Sequence, residues 1–286
     1  MEDREAVRDA LADAHFVAVD APISGIFPAG TEPDATLGIQ PFWSAPGSGE
    51  GSHHAYPGGL ATHEYFNATI AQGFAQTYDR VYFNGRSTVD RDTVIGAALY
   101  HDIMKTVVFQ WNDDGTLFEE LTIAGTGAHH ILSGAEAIAR GRSPRFVTVL
   151  LSAHAAPSLG DEVKVAAWCK ASAIVAGVDP HVYGLLHADG TLAADPAPLE
   201  CFVNYLSDHD YVLSVHAMHV IGARLRSRYA SLEATLVSAP PLTFAWYRSA
   251  VLTKTTAIAL YDTLARAGES AFSRELRRIE ATIVLR

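Results

Sequence analysis

An all-α fold is the expectation for this chain, and three observations carry it. Apolar residues recur at helical spacing through most of the sequence from Leu60 onward. A single stretch, Thr106 to Thr122, has the composition of a β-hairpin, and it is flanked on both sides by helical pattern. The 286 residues are 49% hydrophobic, enough to bury one large core or two small ones, with no internal repeat and no low-complexity tract.

Taken in order, Glu2 to Phe16 reads as a short amphipathic helix, with Val7, Leu11 and Phe16 on one side. Ala21 to about Gly59 is rich in Pro and Gly, with Pro28, Pro33, Pro41 and Pro46. That composition excludes a regular element and suits a wrap or a lid. Helices are expected over Leu60 to Tyr78 and over Asp90 to Lys105, where Asp90 or Asp92 can cap the start. In the hairpin stretch, Val107 to Trp111 and Leu117 to Leu121 flank the turn signal Asp113-Asp114-Gly115. Further helices are expected over Ala128 to Arg140, Pro144 to His154, Glu162 to Ala176 and Glu200 to Tyr229. Two more follow, near Leu242 to Ala267 and Ser270 to Leu285.

Bulk chemistry narrows the partners. The net charge of −11, from 32 acids against 21 bases, argues against an extended basic surface for nucleic acid, while a small phosphorylated substrate stays compatible with one local cation. Two cysteines, Cys169 and Cys201, make neither a disulfide framework nor a zinc ribbon, and Cys169 reads as a small buried residue. The charged start Met1-Glu-Asp-Arg-Glu lacks the apolar run of a secretory signal, and stretches such as Phe146 to Leu151 are far too short to span a membrane. A cytoplasmic protein is expected. The apolar spacing of Tyr247 to Leu260 reads as core or as the face of a homo-oligomer.

Histidine is over-represented: there are 13, and seven fall between His53 and His154. Four segments gather them: His53-His54-Ala55-Tyr56-Pro57-Gly58-Gly59-Leu60-Ala61-Thr62-His63, Tyr100-His101-Asp102-Ile103-Met104-Lys105, His129-His130-Ile131-Leu132-Ser133-Gly134, and Ser152-Ala153-His154. Adjacent His101 and Asp102 can address one ion only where the backbone leaves regular helix. An imidazole with a carboxylate suits a divalent transition ion. Lys105, three residues on, is about one turn away and can reach what the ion binds. The apolar run Val94 to Leu99 buries this group, and buried His, Asp and Lys together need a reason.

His63, His101-Asp102, His130 and His154, in that order, resemble the HD superfamily of metal-dependent phosphohydrolases over roughly Ser52 to Gly177. The His-His-x-Tyr-Pro-Gly-Gly-Leu-x-x-His wording is similar to the opening helix of HD domains in exoribonucleases and relaxase-associated proteins. The resemblance implies an HD-domain-like helical bundle with one small β-hairpin and extra C-terminal helices. It implies an N-terminal helix and wrap over residues 1–50, a catalytic domain over 51–230 and C-terminal helices, packed on the same domain, over 231–286. The implied activity is hydrolysis of a phosphate ester of a nucleotide or other small molecule. His63, His101, Asp102, His130 and His154 then hold one or two ions of Mn, Fe, Co, Ni or Zn. Asp102 and Lys105 are the catalytic pair, and His54 and Tyr56 contact the substrate.

One departure stands out. The family's last carboxylate is expected where this chain reads Ala166-Ala167-Trp168-Cys169-Lys170-Ala171-Ser172, and Asp208 and Asp210 are the candidates to replace it. The gap keeps open a degenerate domain that binds a ligand or protein without turnover, and the motif wording keeps open an HD-type nuclease. His53 and His129 are expected to face away from the ion, His216 and His219 to pack in a helix, and Asp113, Asp114, Glu119 and Glu120 to form a solvated face.

Overall fold

The computed structural model describes residues 40–193, 198–233 and 243–283. The helix expected over Glu2 to Phe16 and the Pro/Gly-rich stretch before Gln40 lie outside them. The fold is all-α with one two-stranded sheet. The helices are α1 (Gly59–Tyr82), α2 (Arg91–Tyr100), α3 (Lys105–Val108), α4 (Ala128–Ala139), α5 (Pro144–Leu151), α6 (Glu162–Val175), α7 (Pro180–Tyr183), α8 (Pro198–Ser207), α9 (Tyr211–Glu233), α10 (Phe244–Lys254) and α11 (Ala257–Glu280). Among the described residues, no helix is long and apolar enough to cross a membrane.

The chain divides into two compact units. The first takes in Glu64–Val108 and the described residues of Glu120–His209, the second Gln40–His63, Phe109–Glu119 and the described residues from Asp210 on. In the first, α2 packs against α5 and α8, and α4 against α5 and α6. Val94, Ala98 and Val203 meet Ala71 and Ala75 of α1 in a small-residue core that lets helix axes approach closely. Polar side chains set the helix starts. Asp90 accepts the Thr93 N–H at 3.1 Å to open α2, and Ser143 accepts the Phe146 N–H at 3.2 Å ahead of Pro144 in the first turn of α5. In the second unit α9 packs on α10 and α11 around Ile221, Leu225, Tyr247, Val251, Leu260 and Phe272.

Three expected elements form differently. The hairpin over Thr106 to Thr122 is shorter than expected: Val107 and Val108 donate to the Met104 carbonyl at 2.9 and 3.0 Å, so the β-branched run closes as the short buried helix α3. Around Asp113-Asp114-Gly115 a short antiparallel pairing remains: the Asn112 N–H donates to the Thr116 carbonyl at 2.9 Å, the Phe118 N–H donates to the Gln110 carbonyl at 3.0 Å, and Trp111 and Leu117 form a bridge. The actual strands, β1 (Thr122–Ile123) and β2 (Thr126–Gly127), are joined by Ala124-Gly125, both at positive φ as a two-residue hairpin turn requires. The long helix expected over Glu200 to Tyr229 is broken by a 3₁₀ turn at Asp208–Asp210. At the C-terminus an additional break falls at Thr255-Thr256, where Thr256 caps α11, and the break expected between Ala267 and Ser270 is present as Gly268, non-helical at φ 76°, ψ 179° within α11.

Candidate metal centre

In the first unit α2 stops at Tyr100, and the chain turns through His101–Met104 before α3 begins. This departure from regular helix lets adjacent His101 and Asp102 both face inward, and both are fully buried. His101 Nδ1–H donates to the Ala98 carbonyl at 2.9 Å. Its Nε2 therefore faces Asp102 Oδ2 at 3.4 Å and Asp208 Oδ1 at 3.3 Å. Asp208 stands on the 3₁₀ turn that interrupts the last helices. Asn67 donates to its Oδ1 at 3.2 Å, and its Oδ2 faces His154 Nε2 at 3.3 Å. His154, just beyond α5, is the solvent-facing member, with 30% of its side chain exposed. One donor atom each from His101, Asp102 and His154 lies within 4.8 Å of the others.

These residues fit a divalent ion. An imidazole whose Nδ1–H is committed to a backbone carbonyl offers a lone pair at Nε2, and histidine ligands are oriented this way. Aimed at two carboxylates, that lone pair needs a proton or a cation between. The separations of 3.3–3.4 Å fall at the spacing of two ligands each about 2.1 Å from one ion, which is about 3.0 Å at a right angle and about 3.4 Å in a tetrahedron. Charge points the same way. Glu64, Asp102, Glu120 and Asp208 bring four carboxylates to this region against the single ammonium of Lys105. Without an ion the imidazoles take up the deficit. Burial opposes a charge on His101, yet Asp102, Glu64 and Asp208 outweigh it and hold the pKa at about 10.

Lys105 is 3% exposed, and its ammonium pairs with Asp102 Oδ2. Burial opposes that charge too, and Asp102 more than compensates, so the Lys105 pKa is raised. His129 departs from the sequence expectation. It does not turn away from the centre: its Nε2 sits 3.1 Å from Asp102 Oδ1, and its Nδ1 lies 2.5 Å from Glu120 Oε1. Glu120 is correspondingly part of this network, not of a solvated face. His130 is fully buried between His154, stacked at 4.4 Å, and Trp168, edge-on at 4.7 Å. Neither of its ring nitrogens has a hydrogen-bond partner among the described residues. Burial, then His154, His129 and His101, depress its pKa far below the usual histidine value.

His63 belongs to the second unit, where one ligand atom each from His53, His54 and His63 lies within 4.8 Å of the others. His54 stands at φ 53°, a left-handed conformation rare outside glycine. Its Nε2 lies 3.3 Å from Asp210 Oδ2, and its Nδ1 3.2 Å from the Tyr56 hydroxyl. Burial raises the Tyr56 pKa, so that hydroxyl stays protonated. The two sequence candidates for the missing carboxylate thus separate: Asp208 faces His101 and His154, while Asp210 serves His54. Among the remaining histidines, His216 packs edge-on to Tyr261 at 5.4 Å, the helix-packing contact expected of it.

No family model matches the chain, and no solved structure matches it. Among curated proteins it is similar to the dihydroneopterin 2′,3′-cyclic phosphate phosphodiesterase of Methanocaldococcus jannaschii, with 41% identity over 64 residues. That stretch is 22% of this chain and 24% of the relative, so the similarity covers about a quarter of that protein's length. Part of this chain is therefore similar to a phosphodiesterase, and the chain carries buried His/Asp groups able to hold a metal ion.

Proposed function

We propose that the chain is a metal-dependent phosphoric ester hydrolase of HD type, acting on a small phosphorylated substrate. The observation that carries this reading is the His101, Asp102, His154 and Asp208 group, buried except at His154, with its donors at ligand spacing. These four would hold a divalent transition ion (Mn, Fe, Co, Ni or Zn). The HD resemblance adds His63 and His130 to the set, and its implication of a second ion is kept. Asp208 supplies the carboxylate missing near Trp168, which weakens the case for a domain that binds without turnover.

A divalent ion in such a site supplies Lewis acidity: it makes water a nucleophile near neutral pH and polarises a phosphoryl oxygen. The chain's own groups do the rest. Lys105, pinned by Asp102, provides a fixed positive charge against the negative charge that grows on the phosphoryl oxygens. Ala98 locks the His101 tautomer, and Asn67 orients Asp208. His154, the exposed member, marks the side open to an arriving ester. His54 and Tyr56, on the glycine-rich entry and beside Asp210, keep the substrate-binding role expected of them.

The similarity to a cyclic phosphate phosphodiesterase makes cyclic phosphodiesters the first substrates to try. Metal-stripped protein is reloaded with each ion and assayed against 2′,3′-cyclic nucleotides, bis(p-nitrophenyl) phosphate, nucleotide monoesters and single-stranded nucleic acid. Turnover with at least one ion is expected, abolished by chelator and lowered by His101→Ala at least about 100-fold in kcat. No turnover with any ion, with metal content unchanged in His101→Ala, contradicts the proposal.

A further inference from the structure

His129 is held between two carboxylates of the first unit. Glu120 Oε1 accepts the His129 backbone N–H at 2.8 Å and lies 2.5 Å from Nδ1 of the ring. On the opposite side Nε2 is 3.1 Å from Asp102 Oδ1. Asp102 thus directs its two oxygens to different partners: Oδ2 toward His101 and Lys105, Oδ1 toward His129. The backbone has been shaped for the Glu120 contact. A Cβ on Gly127 would lie 2.7 Å from Glu120 Oε2 and 2.8 Å from His129 Cε1. Gly127 itself has φ −58°, ψ 141°, a conformation open to any residue, so a side chain here would act by displacing the ends of Glu120 and His129.

We propose that His129 is a metal ligand on the Oδ1 side of Asp102, and that Glu120 is the positioning residue that fixes its tautomer. A carboxylate that accepts Nδ1–H leaves the Nε2 lone pair for an ion, the usual outer arrangement around ligating histidines. The 3.1 Å between Nε2 and Oδ1 matches two ligands at a right angle about one ion, near 3.0 Å. Asp102 would then serve both positions, with Oδ2 beside His101 and Oδ1 beside His129. The inference rests on the proposed metal centre and deepens it. It adds a ligand that the family resemblance does not supply and a second ion position defined by side chains of this chain.

Co²⁺ alone is the probe. Its binding to the stripped wild-type protein is measured by competition with a chromophoric chelator, and the imidazoles per cobalt are counted by X-ray absorption. Glu120→Gln, which keeps an acceptor for the backbone N–H, is expected to weaken at least one Co²⁺ site by about 10- to 100-fold. Gly127→Ala acts in the same direction through displacement of Glu120. His129→Ala is expected to lower the imidazole count. Wild-type protein that takes up no Co²⁺ overturns the proposed function and this inference together. Wild-type protein that binds Co²⁺, with unchanged affinity in Glu120→Gln and an imidazole count accounted for without His129, overturns this inference alone and leaves His129 an imidazolium clamp on Asp102. The count on wild-type protein is independent of whether any variant folds.

Discussion

Lys105 is buried one turn from Asp102, and neither group is stable there alone. Removing one member of a buried pair leaves an uncompensated charge, so Lys105→Met is expected to cost about 3–5 kcal/mol in denaturant unfolding of the metal-free protein. A loss below about 1 kcal/mol would mean that Asp102 is neutralised by other groups. Asp208→Asn keeps the volume and an acceptor but removes a charge, and it should lower metal stoichiometry while leaving the helices intact by circular dichroism. At this scale the sequence was informative where chemistry is local. His101, Asp102 and Lys105 lie within one turn, and their burial follows from the apolar run before them. Asp208 was one of two candidates because only the fold brings a residue 107 positions away up to His101. His129 and Glu120 were misread because their pairing depends on where the hairpin lies. Their adjacent partners, His130 and Glu119, were as plausible from spacing alone.

Helix ends decide where the site residues point. Asp90 opens α2, the helix that delivers His101, and Asp90→Ala should cost about 1 kcal/mol at pH 7. The Thr93 hydroxyl and N–H, which donate to it, hold its carboxyl below the usual carboxylate range. A depressed carboxyl contributes stability above its unfolded pKa and loses it as pH falls through the folded one. The gap between variant and parent is therefore expected to close as the pH drops below about 4; a pH-independent gap would assign the loss to helix propensity instead. Gly59 opens α1 against the His54 carbonyl, which a Cβ would meet at 1.8 Å. Gly59→Ala should cost at least about 1–3 kcal/mol in a chemical denaturation series, whereas an unchanged midpoint would show that the His54 loop yields freely. Of the elements, the long amphipathic ones were legible within a few residues. The β-branched run at Val107-Val108 was not, since burial closes it as helix against its strand propensity.

For the whole chain, the charge of −11 and the four carboxylates gathered in the first unit make bound cations part of its stability. An ion that binds only the folded state adds about 2.7 kcal/mol at 100 times its Kd, so chelation should lower Tm and shift it with free ion concentration. The all-α class was readable from periodicity, because helical spacing is a short-range property. The division into two units, each drawing on segments distant in sequence, was not. The central claim is that His101, Asp102, His154 and Asp208 share a cation, and anomalous scattering from crystals grown with Mn²⁺ or Co²⁺ addresses it most directly. An anomalous peak about 2.0–2.3 Å from His101 Nε2 and from the Asp102 and Asp208 carboxylates is the expected result. Metal-replete crystals in which those side chains carry no anomalous peak, or turn away from one another, would contradict it.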